Sequence, residues 1–516
     1  MMSGSGECAR GFDARLCPVD TLVAPSDLPD RQTCEQARRS RDARFDGLFF
    51  TAVKTTGIYC RPVCPAPSPR EGNVAYYASA AAAESAGFRP CLRCRPELAP
   101  GVGAPDGGDA AVGRALKLIE SGLLNDHPLP VLAGRLGFGE RQLRRVFLAR
   151  LGATPVQVHA TRRLLFAKQL LSESRMRITD VALASGFRSL RRFNDAFRHA
   201  YKMAPSALRR QSRGAPEEGN DALVLRLAYR PPYDFAALLE FLRARALPGL
   251  EQVDAHSYAR TFGAPERTGW LRVSRWGDGA DALRLELHGA APSDLLGWVA
   301  RVRRMFDLDA DPLAIASILE RDPSLRPLVR QAPGLRLPGA WDGFETAIRA
   351  VLGQQVSVAA ARTLAVRLLQ RFGQRVPRPG TPALTLLFPG EADLDGAAFD
   401  GLGLTRTRGQ TIRELVRAVR CGQVDFSPAH TLEDHVARWT ALPGIGPWTA
   451  QYIAMRAQSH PDAFPAADLV LRRSIAGHGT VPGTRALSQR AEAWRPWRAY
   501  AAIHLWRADT IVRRRT

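Results

Sequence analysis

Two pairs of cysteines constrain this chain more than any other feature. Cys60 and Cys64 lie in TTGIYCRPVC, Cys91 and Cys94 lie in GFRPCLRC, and 26 residues separate the pairs. A C-x3-C knuckle and a C-x2-C knuckle can close around one tetrahedral ion, and an all-sulfur ligand set selects zinc over harder metals. The residues between must fold back so that the knuckles meet, which marks out a compact module over 27–100. Strand-like FDGLFFTAV precedes the first knuckle and Ala-rich, helical AAAAESAG precedes the second. A closed structural zinc site is the plain interpretation of four thiolates; a reactive thiolate is the sharper one. The rest of the chain weighs on that choice.

At 516 residues the chain is too long for one hydrophobic core, so several domains are expected. Lysine and arginine number 72 against 50 acids, a net charge of +22, and arginine is spread throughout. Such an excess implies a polyanionic partner. No basic amphipathic helix or apolar anchor stands out, so nucleic acid is expected rather than a membrane. Residues 1–26 carry no apolar signal core and are expected to form a flexible leader; no run of 18 apolar residues follows. Cys8, Cys17, Cys34 and Cys421 are scattered singly, which suits a reducing, cytoplasmic compartment. PGVGAPDGG around 101–107 is expected to be a linker.

An internal repeat of about 50 residues occupies 108–211. Ala133-x3-Gly137-Phe138 recurs as Ala182-x3-Gly186-Phe187, and Phe147-x7-Pro155 recurs as Phe197-x7-Pro205. Each copy predicts a short apolar helix, a turn at the glycine, and a second helix dense in arginine. Arg141, Arg144 and Arg145 load the first, Arg191 and Arg192 the second. This is helix-turn-helix geometry twice over, suited to two adjacent major grooves.

From 221 the pattern changes to alternation, with ALVLRLAY, helical FAALLEFLRARA, and strand-like segments near Val253, Trp270 and Leu283. A small α+β layer over 221–337 follows, and 338–516 reads as mainly helical. In TLEDHVARWTALPGIGPWTAQYIAMRA an amphipathic helix meets a tight turn at Gly444 and Gly446, and Pro447 opens a new helix where proline is favoured. The N–H groups at that helix start can hold a phosphate. Twenty residues past Trp448 stands Asp468, a lone carboxylate on an apolar and basic stretch. It can cap the following helix, or it can stabilise an oxocarbenium-like sugar cation beside bound DNA. The aromatics Trp341, Trp448, Tyr452 and Trp506 favour the catalytic role.

These motifs resemble known families. The cysteine module, with Asn73 and AGFRPCLRC, looks like the N-terminal methyl-acceptor zinc domain of Ada, and 108–211 looks like an AraC-type double helix-turn-helix. The resemblance implies one Zn2+ held by Cys60, Cys64, Cys91 and Cys94, with Cys60 accepting a methyl group from a DNA methylphosphotriester. It places Thr56, Arg89 and Arg93 near the DNA backbone. Pro65-Ala66-Pro67 stands where the family can carry basic residues.

From 221 onward the chain is similar to the AlkA-type DNA-3-methyladenine glycosylases of the helix-hairpin-helix superfamily. That likeness makes Asp468 the catalytic carboxylate, sets Trp448, Tyr452, Trp506 and Trp341 around a base pocket, and makes Gln355 of VLGQQVSV the wedge, where the family has an apolar leucine. Trp448 replaces the Schiff-base lysine of glycosylase/lyases, so a monofunctional enzyme is expected. No cysteine follows Cys421, so no iron-sulfur cluster is expected. The Pro-Cys-His-Arg motif of the other Ada methyltransferase domain is also missing.

The expected protein is multidomain and mainly α: a small α+β zinc domain with four cysteine ligands, an all-α double helix-turn-helix, a small α+β AlkA N-terminal-like domain and an all-α helix-hairpin-helix glycosylase domain. It would act on double-stranded DNA as a bacterial, nucleoid-associated monomer and contact RNA polymerase. The competing function is a transcription regulator whose C-terminal half only grips DNA.

Overall fold

The computed structural model describes residues 28–101, 110–211 and 222–515, apart from 265, 278, 378 and 478. The expected leader, Cys8, Cys17 and nearly all of the expected linker lie outside the described residues. No described helix is long and apolar enough to cross a membrane.

Helix Arg31–Ser40 starts at Asp30, whose carboxylate accepts from the Thr33 N–H, and leads into a four-stranded sheet. Its strands are β1 (Phe50–Val53), β2 (Ile58–Cys60), β3 (Val74–Tyr77) and β4 (Arg89–Pro90), in the order β3-β1-β2-β4. The pair β2 and β4 is parallel, with Ile58 opposite Arg89 and Tyr59 opposite Pro90. This register sets Cys60 and Cys91 side by side where the two strands end, which is how knuckles distant in sequence meet. Helix Ala80–Ser85 buries Ala80 to Ala83, small side chains that allow close packing.

Residues 110–211 form helices alone. Leu129–Arg135 and Glu140–Leu151 are joined through Gly137, at φ +74°; Ile178–Ala184 and Leu190–Tyr201 are joined through Gly186, at φ +78°. The left-handed backbone at these turns suits glycine, which has no Cβ to clash. A helix that the repeat does not announce, Pro155–Glu173, ties the two units together. Thr154 and Gln157 close a capping box at its start.

The next segment is a five-stranded antiparallel sheet, β5 (Leu223–Ala228), β6 (Glu251–Val253), β7 (Ser257–Ala264), β8 (Arg267–Arg275) and β9 (Ala282–His288), ordered β5-β9-β8-β7-β6. Leu271 and Val273 of β8 point to the buried face and Arg272 and Ser274 away from it, the period of two that strands require. Leu225, Leu271 and Leu285 of this sheet share one core with Phe193, Phe197 and Tyr201 of the second helix-turn-helix unit.

The remainder is a helical bundle built around Ile348, Leu368, Leu415, Trp439 and Ile453, with a second core around Trp494 and Trp497; it is not all-α as expected, since β10 (Gln374–Arg375) and β11 (Leu386–Leu387) pair in a short antiparallel ribbon. A cavity opens where helix Gly343–Leu352, helix Pro447–Ala457 and the edge of the sheet segment meet.

Candidate functional site

The hairpin joins helix Leu432–Thr440 to helix Pro447–Ala457. Gly444 has φ +83°, and a Cβ there would lie 1.9 Å from Thr411 Oγ1, so both backbone and space require glycine. Gly446 is the exposed N-cap of the second helix, and no side chain caps it. The first N–H groups are therefore left for an acceptor from outside, and the helix dipole favours an anionic one.

Gln354 staples a second loop to this turn. Its amide donates to the Gly444 carbonyl at 2.9 Å and to Thr449 Oγ1 at 3.1 Å, while Arg408 donates to its own carbonyl at 2.7 Å. Gln355 then stands exposed at φ +57°, a left-handed tip beside Val356, which lines the cavity mouth. Neither Gln354 nor Arg408 was singled out from the sequence; the only available signal was the adjacency of Gln354 to Gln355.

Asp468 is both cap and cavity residue. Oδ1 accepts from the Val470 and Leu471 N–H groups at 2.9 and 3.0 Å, capping helix Leu469–Ala476, and from Trp506 Nε1 at 3.2 Å. Oδ2 accepts from Trp448 Nε1 at 2.9 Å. Capping the helix and lining the cavity are compatible because a carboxylate has two oxygens: one holds the helix, and the other is oriented by a single indole. The Trp448 ring stacks on Tyr452 with centroids 5.2 Å apart and planes 8° apart, and Trp506 lies tilted 6.3 Å from Tyr452. Trp341 is buried and stacks on Trp298 at 5.3 Å. All four of the expected aromatics and Asp468 line the same cavity, about 640 Å³ in volume.

In the first segment the sulfurs of Cys60, Cys64, Cys91 and Cys94 all lie within 4.8 Å of one another. Tetrahedral zinc with Zn–S bonds of about 2.3 Å needs sulfur pairs about 3.8 Å apart, so the residues fit the ion. Cys91 and Cys94 are buried; Cys60 and Cys64 are partly open. The sulfurs differ in their backbone partners. The Arg93 N–H donates to Cys91 at 3.4 Å and the Arg61 N–H to Cys94 at 3.3 Å. No such bond reaches Cys60 or Cys64 among the described residues, so the two partly open sulfurs are also the two without an N–H donor. Thr56 and Arg93 are exposed and Arg89 is partly so. Arg41 reaches the carbonyls of Pro65 and Ala66 from the end of the first helix, at 3.4 Å each.

On the two arginine-rich helices, Arg141, Arg144, Arg145, Arg191 and Arg192 are all exposed. Arg144 pairs with Glu140 at 3.0 Å and Arg191 approaches Asp195 at 4.0 Å. Exposed pairs of this kind are weak and give way readily to a phosphate.

Three family descriptions match. Residues 33–97 match the metal binding domain of Ada, 132–211 a helix-turn-helix domain, and 224–342 the AlkA N-terminal domain. The probable bifunctional transcriptional activator/DNA repair enzyme AlkA of Mycobacterium tuberculosis is 40% identical over 481 residues, 92% of this chain and 96% of that protein. The chain belongs to this bifunctional AlkA family. Its two halves are also similar to separate proteins of Escherichia coli. DNA-3-methyladenine glycosylase 2 is 34% identical over 54% of this chain and 95% of its own length. The bifunctional transcriptional activator/DNA repair enzyme Ada is 40% identical over 23% of this chain and 32% of its own length. In this bifunctional AlkA chain the Ada-like and glycosylase-like parts thus share one polypeptide.

Proposed function

We propose that the chain is a bifunctional alkylation-response protein. Its C-terminal half excises alkylated bases of the 3-methyladenine type from double-stranded DNA as a monofunctional glycosylase. Its N-terminal half takes a methyl group from a methylphosphotriester onto Cys60 and switches transcriptional activation. The observation that carries this reading is Asp468, a carboxylate oriented by Trp448 and Trp506 at the wall of an aromatic cavity.

In the excision step the damaged base leaves the helix for the cavity, where an electron-rich indole and phenol attract a positively charged alkylpurine. The glycosidic C1′–N bond breaks and its electron pair passes to the base, cancelling that charge. A cation develops at C1′. The Oδ2 atom of Asp468 keeps a free lone pair to stabilise it, while Oδ1 is occupied by the helix start. Water adds to C1′ and releases a proton. No lysine occurs in LPGIGPWTA, so no amine competes with water.

In the transfer step the Cys60 sulfur attacks the methyl carbon, the C–O bond breaks, and its electrons return to the phosphate as a diester anion. Cys60, Cys64, Cys91 and Cys94 would hold a zinc ion, which would keep their sulfurs as thiolates near neutral pH. An N–H donor stabilises a thiolate and lowers its nucleophilicity, so Cys60 and Cys64, which take none among the described residues, are the more reactive pair, and of these the likeness to Ada points to Cys60. Four thiolates on Zn2+ carry −2 and three carry −1, which weakens repulsion from DNA and favours promoter binding by the arginine-rich helices. As an activator the protein contacts RNA polymerase, and it acts as a monomer.

The test compares wild type with Asp468→Asn on methylated duplex DNA by the 3-methyladenine released. Release by wild type and its loss in the variant are expected; equal release by both, or none by either, refutes the glycosylase assignment. Mass spectrometry after exposure to methylphosphotriester DNA should find one methyl group on Cys60.

A further inference from the structure

The wall of the cavity is polar at both ends, with opposite signs. From the Asp468 carboxylate it runs to the Trp448 indole at 2.9 Å, then to the stacked Tyr452 ring, and then to Arg456, whose Nη1 donates to the Tyr452 hydroxyl at 2.8 Å. Beyond Tyr452 the charge is not balanced. Arg349 is neutralised by Glu251 at 3.1 Å and Glu345 at 2.8 Å, and Arg260 by Glu345 at 2.9 Å. Arg456 instead holds the carbonyls of Pro338 and Gly339, and Arg245 holds the Phe241 carbonyl at 3.1 Å. Among the described residues neither guanidinium has a carboxylate partner. Burial raises the Tyr452 hydroxyl, but Arg456, Arg245 and Arg349 outweigh it and the net shift is downward. Burial pulls Arg245 down to about 10. Arg456 is buried and Arg245 partly so, and among the described residues both have the Tyr452 hydroxyl as a side-chain partner and no carboxylate.

A methylated purine uses only part of this space. The cavity is about 640 Å³, within the roughly 300–1,000 Å³ range of sites that enclose drug-sized ligands. A ligand matched to the whole wall would be cationic in its ring, beside the aromatics and Asp468, and anionic at the tip of a substituent, beside Arg245 and Arg456.

We infer that the cavity also takes carboxyalkylated purines, of which carboxymethyl adducts are the simplest, with the ring at Trp448 and the carboxylate at Arg245 and Arg456. This rests on the glycosylase reading above. The reaction is unchanged: C1′–N breaks, its electrons neutralise the ring, water supplies the new C1′–O bond, and the carboxylate is untouched.

The test uses the full-length protein and two duplex DNAs, one carboxymethylated with diazoacetate and one methylated, with released bases quantified by mass spectrometry above spontaneous loss. Wild type should release carboxymethylpurines as well as methylpurines. Arg245→Met should lower carboxymethyl release roughly tenfold, as expected for losing one charged partner, with methyl release within about twofold. Arg245→Lys should recover much of it. Methyl release without carboxymethyl release by wild type overturns the inference while leaving the glycosylase reading intact. Equal loss of both bases in Arg245→Met also overturns it, since that marks a general structural role. Release of neither base by wild type removes both readings.

Discussion

Arg230 donates from Nε to the Asp46 carbonyl at 2.9 Å, a bond between the sulfur-bearing module and the five-stranded sheet segment, 184 residues apart. The guanidinium is fully buried and also holds the Asp309 carbonyl at 2.7 Å and the Gly101 carbonyl. Asp46 in turn accepts from Arg61 Nε at 2.8 Å, the residue after Cys60. Together with the ion pairs of Lys168 with Glu97 and Arg95 with Glu173, this side chain docks the first module onto the rest. Arg230→Met leaves these carbonyls without their donor, at a cost on the order of 3 kcal/mol. Calorimetry should show the first module melting separately and earlier than the bundle; one unchanged transition would contradict the docking role.

Trp448→Phe keeps a ring to stack on Tyr452 but removes the donor to Asp468 Oδ2. Single-turnover excision should fall roughly tenfold, the effect of one hydrogen bond to a charged group. Asp468→Asn should fall on the order of 100-fold or more. Since asparagine is also a good N-cap, its thermal stability should change by less than about 1 kcal/mol, which separates lost chemistry from lost folding.

At Gly444 two penalties combine, the left-handed backbone and the contact with Thr411. Gly444→Ala should weaken binding to undamaged duplex and lower thermal stability by at least about 1–2 kcal/mol. Adding Thr411→Ala relieves the clash but not the φ cost, so only partial recovery is expected.

Cys60→Ala and Cys91→Ala should differ. Both remove a sulfur, but the Cys91 side chain is buried just after β4 and its sulfur accepts the Arg93 N–H at 3.4 Å, a bond that alanine loses. Zinc stoichiometry and circular dichroism should report the larger loss of structure for Cys91→Ala, while methyl incorporation is abolished in Cys60→Ala. A chelator should remove methyl acceptance and leave 3-methyladenine release from preformed lesions unchanged, since the excision cavity contains none of the four cysteines.

Burial holds His159, His435, His460 and His504 at about 4, 4, 3 and 4, against an ordinary 6.5. The unfolded chain takes up protons that the folded one refuses, so stability is full above 6.5 and is lost as pH falls from there toward 4. Asp307 works the other way: burial raises it from 3.8 to about 6, so its contribution is lost as pH rises through 6. The four histidines predict a melting temperature that declines on acidification from pH 6.5 to 4.5, with Asp307 and the other carboxyls raised by burial, such as Glu84 and Glu173, opposing the decline. His504→Phe should make that decline shallower.

The chemistry of this protein was largely legible in its residues because motif spacing carries it. C-x3-C and C-x2-C name a sulfur site at any orientation of the chain, and LPGIGPWTA names a tight turn because only glycine tolerates that backbone. Helix and strand periodicity marked the sheet segment near Val253, Trp270 and Leu283, but β7 passed unnoticed in SYARTFGA, where polar residues break the alternation. Helix Pro155–Glu173 was hidden for the opposite reason. Buried on several sides, it shows little contrast between faces.

The sequence by itself determined which groups are present: four thiols, a lone aspartate between aromatics, a glycine turn and two arginine-rich helices. Only the tertiary structure decided how they are shared out. It gave one oxygen of Asp468 to a helix and the other to Trp448, and among the described residues it gave N–H donors to Cys91 and Cys94 but not to Cys60 or Cys64 and set no carboxylate beside Arg245 or Arg456. Hydrogen-bond and charge partners come from residues far apart in the chain. They are settled by packing geometry, which no local pattern encodes.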